Sequence, residues 1–77
     1  MPRYFFHLKD GRDYPDDVGT ELPDVQAAQT EAVKTSGELL RDLGHNFWDN
    51  GDWKLVVTDD RQKPLFTLRF SAEDHRP

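Results

Sequence analysis

A chain of 77 residues with ten basic and fifteen acidic side chains, a net charge of −5 and no cysteine has room for one small domain. The missing thiols exclude a disulfide-stapled scaffold, cysteine zinc sites and thiolate catalysis, and the acidic balance argues against a protein that coats nucleic acid or anionic membrane over its whole surface. Hydrophobic residues make up 35% of the chain, so the core is small and self-association is a natural way to enlarge it.

The first predicted element is a strand over Arg3 to Lys9, ended by Asp10-Gly11, one of the stronger short turn signals. The return strand is weaker. Pro15 and the carboxylates Asp10, Asp13, Asp16 and Asp17 argue that regular pairing resumes only around Val18 to Leu22, on a sheet edge that its charge protects from sticking. Their spacing lacks the one-three-five ligand pattern of a calcium loop, so a solvated turn is the expectation.

Pro23-Asp24 announces a helix with Asp24 as its N-cap. Val25, Ala28, Ala32, Ser36, Leu39 and Leu43 recur at steps of three and four, with Val33 and Leu40 on one shoulder, and Gly44 is the stop. The small residues allow close approach to a sheet, and Ser36 is expected to return its hydroxyl to the carbonyl one turn back. Phe47 and Trp48 then sit in a loop that caps the core, followed by the polar Asp49 to Asp52. A ligand clamp between Trp48 and Trp53 is the alternative to simple packing of those rings. A strand over Trp53 to Thr58, a hairpin connection at Asp59 to Lys63 and a last strand over Pro64 to Phe70 complete the fold.

The order is ββαββ, an α+β class with one helix on one face of a small antiparallel-rich four-stranded sheet. Residues 1–70 form the single domain and 71–77 are expected to fray. Strand order is open: the crossover can set the first strand beside the third or the fourth.

Alternation along the strands sorts the side chains into two faces. Tyr4, Phe6, Leu8, Trp53, Leu55, Val57, Phe66, Leu68 and Phe70 form an apolar face that must lie under the helix. The other face carries Arg3, Phe5, His7, Lys9, Lys54, Val56, Thr58, Leu65, Thr67 and Arg69, and in these strand positions it holds no carboxylate. A positive surface on an acidic chain is the best candidate for a working surface, with Arg3, Phe5, His7, Lys54, Val56, Leu65 and Arg69 at its centre. Its chemistry suits a protein partner, a second copy of the chain, or single-stranded nucleic acid stacking on Phe5. The ordinary alternative is that long cationic stems merely solvate an outer face.

No catalytic, cofactor or metal site is expected. His7, His45 and His75 have no ligand spacing, Ser36 and Ser71 have no histidine arrangement, and no glycine-rich phosphate loop exists. The chain is expected to lack a signal peptide and a membrane span, and so to be cytoplasmic.

Met1-Pro2-Arg3-Tyr4-Phe5-Phe6-His7, the Asp10-Gly11 turn, Glu21-Leu22-Pro23-Asp24, Glu31-Ala32 and Asp52-Trp53 leading to Val57-Thr58-Asp59 resemble a family of small bacterial proteins of unknown function, frequent in alphaproteobacteria. The resemblance implies a short stand-alone cytoplasmic protein and brings no activity, cofactor or catalytic residue. In architecture alone the chain is also similar to HicB-type antitoxin domains, which bind and block a small RNase toxin. The expectation is therefore a non-enzymatic interaction module that dimerises through its open sheet face, with nucleic-acid binding through the same face and a HicB-like inhibitor as alternatives.

Overall fold

In the computed structural model, residues 1–76 are described, Asn50 by its backbone alone. The elements are β1 (Arg3–Lys9), β2 (Asp13–Tyr14), β3 (Thr20–Glu21), α1 (Val25–Leu43), a 3₁₀ helix (Gly44–Asn50), β4 (Asp52–Thr58) and β5 (Pro64–Ser71). The fold is α+β, with α1 against β4 of an antiparallel sheet ordered β2-β1-β4-β5, while β3 also pairs with β1. The open question of strand order is thus decided: β1 lies beside β4, and β5 forms the far edge.

The return strand is in two pieces rather than one. Gly11, at φ +98, takes the left-handed backbone that a tight turn needs, and Asp10 N–H donates to the Arg12 carbonyl. Pairing therefore resumes at once, with Asp13 opposite Lys9 and Tyr14 opposite Leu8, earlier than the carboxylates and Pro15 suggested. It is then interrupted and restored at Thr20 opposite Tyr4 and Glu21 opposite Arg3.

Helix α1 forms where its caps and spacing place it. The Asp24 carboxylate accepts from Ala27 N–H at 2.8 Å, and Gly44, at φ 55, closes the C-terminus with its N–H on the Leu40 carbonyl. Ala28 and Ala32 are buried against Tyr4, Leu55 and Val57, with Phe6, Leu8, Leu22, Phe66 and Leu68 packed around them. The small helix residues and large strand residues are complementary in volume. One side chain departs from expectation. Ser36 is buried, but its hydroxyl makes no hydrogen bond among the described residues; Thr30 is the residue whose hydroxyl donates to a carbonyl one turn back, that of Gln26.

The segment after α1 is a 3₁₀ helix instead of a loop, and β4 begins at Asp52, one residue before the expected start. Phe47 is buried and stacks on Phe70, which stacks on Trp53 across the β4–β5 pair, with centroids 6.0 and 6.5 Å apart. Trp48 is exposed, so the two tryptophans do different work. Regular structure runs past Phe70, since Ser71 ends β5 and Ala72 N–H donates to the Gly51 carbonyl at 2.7 Å. Of the segment expected to fray, Pro77 lies outside the described residues.

Candidate functional site: the uncovered sheet face

The sheet face away from α1 is built by register. Lys9 lies opposite Lys54, and Lys54 opposite Arg69, so three cations form one row across β1, β4 and β5. His7, Val56 and Thr67 form the next row, and Phe5 lies opposite Thr58. A bulge between Val57 and Thr58 sets Pro64 opposite Thr58, which moves Leu65 out of the simple alternation. By register Arg3, Phe5, His7, Lys54, Val56 and Arg69 share this face while Leu65 falls at the bulge, and the surroundings of these residues differ from the expected open platform.

The face is not free of carboxylates. The edge pieces bring Asp13 and Glu21 into its rows, and Asp52 adds a third at the start of β4. Counting carboxylates only along the long strands missed Asp13 and Glu21, which lie in two-residue edge pieces, and missed Asp52 because β4 starts one residue before the expected Trp53. Lys9 pairs with Asp13 at 3.0 Å, and Arg3 pairs with Glu21 at 2.8 Å while also donating to the Val18 carbonyl. Lys54 and Arg69 make no ion pair among the described residues. Cationic neighbours directly across a strand pair repel, so this adjacency costs stability instead of adding to it.

Phe5 is also less available than alternation alone implied. Its ring stacks on His7 with centroids 6.4 Å apart, and the segment between β2 and β3 closes on it. A side-chain carbon added at Gly19 would stand 2.9 Å from the Phe5 ring and 2.8 Å from Arg3 Cγ, at a φ of +74 that already disfavours any other residue. Both Phe5 and His7 are half-buried.

Asp16 is the residue that sequence reading did not single out. In the gap between β2 and β3 its carboxylate replaces the missing strand: Oδ2 accepts from Phe6 N–H at 3.1 Å, and Oδ1 accepts from Val18 N–H and Gly19 N–H at 3.0 Å each. Its own N–H donates to His7 Nδ1 at 3.1 Å. That contact sets the tautomer, leaving His7 Nε2–H to donate to the buried Thr58 hydroxyl at 3.1 Å. Partial burial pushes the Asp16 carboxyl up, but the N–H donors of Gly19, Phe6 and Val18, followed by the nearby His7, outweigh it and hold the pKa below the usual value. An Asp one residue after a proline between two short polar runs was a faint sign of such a loop clasp.

His7, Lys9, Asp13, Pro15, Val56 and Thr58 border a shallow depression of about 410 Å³. With both His7 nitrogens engaged, that depression offers no free imidazole for proton transfer. No helix among the described residues is long and apolar enough to cross a membrane.

Residues 3–71 match a domain of unknown function, DUF6894. The chain belongs to the DUF6894 family. That match spans every strand and the whole of α1, so the clasp, the cationic row and both sheet edges lie inside the family's domain. No curated protein and no solved structure matches the chain.

Proposed function

We propose that this DUF6894 domain is a non-enzymatic interaction module of the bacterial cytoplasm that takes an acidic protein segment on its uncovered sheet face. One observation carries the reading: Lys54 and Arg69 are cross-strand neighbours without an ion partner among the described residues, in a chain of net charge −5. Their mutual repulsion is relieved by an anionic group placed between them, and Val56 and Thr67 beside them offer a neutral floor for that segment. Arg3 and Lys9, the other two cations of the face, are already neutralised and frame the site. Face-to-face dimerisation fits less well, because two copies would set Lys54 and Arg69 against their own equivalents. Nucleic acid also fits less well, because the Phe5 ring is held between His7 and Gly19. The HicB-like arrangement contributes no residue to this site.

Fluorescence anisotropy tests the proposal with a labelled dodecapeptide rich in Glu and Asp and, separately, a 15-mer of oligouridine. The peptide is expected to bind with a shallow salt dependence set by two cations, and Lys54→Glu with Arg69→Glu is expected to abolish it. Failure of the peptide to bind, or RNA binding with a steep fall of log affinity against log salt, overturns the reading.

A further inference from the structure

The outer edge of β5 has no strand beside it among the described residues, although at eight residues it is the longest strand of the sheet. Its interior contains no proline and no acidic residue, and Arg69 is its single charge. Beyond the bulge at Leu65, residues 66–71 keep a regular pairing with β4, and an apolar-alternating edge of that kind is what soluble proteins usually blunt or pair. Beside it runs a groove lined by Gln29, Val33, Phe66 and Leu68. Val33 is 63% exposed and Leu40 37%, both large for apolar residues on a helix facing water.

Charge along α1 is distributed to match. At 100° per residue, Gln29, Val33 and Leu40 fall within about 40° of one another, while Glu31, Lys34, Glu38, Arg41 and Asp42 all lie roughly 80° or more beyond them. The flank that continues the β5 edge is thus the uncharged side of the helix, in a chain whose net charge of −5 would otherwise drive two copies apart.

We infer that β5 pairs antiparallel with β5 of a second copy of this chain, joining the two sheets into one and bringing the Val33–Leu40 flanks of the two helices together. The edge is self-complementary: with the two-fold axis at Thr67, Phe66 lies opposite Leu68 of the other copy on the helix side, so apolar meets apolar in both directions. Three strand spacings would separate β4 from its mate, so the helices stand roughly 14 Å apart, a gap that Val33, Leu40, Phe66 and Leu68 of both copies fill. Eight residues of strand are about 27 Å long, and with a helix on one side the contact covers on the order of 1,000 Å² in total, the lower limit for a specific association. A reversible dimer is the consequence. It is distinct from the acidic-partner site: Lys54 lies on the inner strand, and Arg69, although on β5, shares with Lys54 the face away from the helices.

Sedimentation velocity from 5 to 500 μM tests the inference on the full chain. The expected result is a concentration-dependent rise from 9.0 kDa toward twice that mass. Val33→Glu with Leu40→Glu should weaken the dimer at least tenfold while leaving circular dichroism and dilute thermal unfolding intact, and Lys54→Glu should leave it unchanged. Because the chain has no cysteine, Thr67→Cys should cross-link across the axis on mild oxidation, whereas Thr20→Cys on the opposite edge should not. A monomer at 500 μM overturns the inference, and so does a dimer that survives the double Glu variant or is lost on Lys54→Glu.

Discussion

The two edges of this sheet are opposites. At the β2/β3 edge the chain is broken into two-residue pieces, carries Pro15, Asp13, Asp16, Asp17 and Glu21, and satisfies its exposed strand groups internally through the Asp16 carboxylate. At the β5 edge one strand of eight residues, bulged only at Leu65, carries one charge and has an uncharged helix flank above it. The first edge is closed by chemistry that costs regular hydrogen bonding, whereas the second is left available. A sheet needs protection on both edges to remain solitary, so protecting one only is a directional arrangement.

The comparison breaks most readily at Asp16. Asp16→Ala should cost about 3 kcal/mol in urea unfolding, because three backbone N–H groups lose a charged acceptor. Asp16→Asn should come close to it, since both carboxylate oxygens accept and an amide would turn an N–H₂ toward one set of donors. An Asn variant of wild-type stability would show that the clasp is ornamental. The pH dependence follows from the same group. Its folded pKa lies below its unfolded value, so its contribution is fully present above about pH 4 and disappears as pH falls through the lower folded value. Unfolding free energy measured from pH 7 to 3 should therefore fall at the acid end in the wild type and less in Asp16→Asn.

Gly19→Ala comes next, with an expected loss of about 2 kcal/mol from the positive φ and the collision with Phe5 and Arg3. At the other edge the effects should be small. Thr67→Lys, on the uncovered face of β5, should change the stability of the dilute monomer by about 0.5 kcal/mol or less. Smallest, and opposite in sign, is Gln62→Gly in the hairpin leading into β5: Gln62 holds φ 66, so glycine should stabilise by roughly 0.5 kcal/mol in thermal unfolding. Together these variants sharpen the contrast, because large losses should confine themselves to the β2/β3 side.

Much of the fold was legible because its signals are local. Asp24 and Gly44 cap α1 where their chemistry indicates, and the alternation of β1, β4 and β5 puts Tyr4, Leu55 and Val57 inside. The candidate surface was legible only in outline. Arg3 and Lys9 lose their availability to Glu21 and Asp13, residues eighteen and four positions away that reach them only through strand pairing. Phe5 is enclosed by Gly19, and nothing in the spacing of either residue announces that contact.

Side-chain alternation, helix caps and turn residues act over a few positions, so the chain alone determined which residues of the long strands face the helix and where the helix begins and ends. Which strand lies at the edge, which cations keep their charge unpaired and which carboxylate stands in for missing strand contacts were settled only when distant segments met. Those outcomes depend on register and strand order, quantities that no local pattern of residues contains.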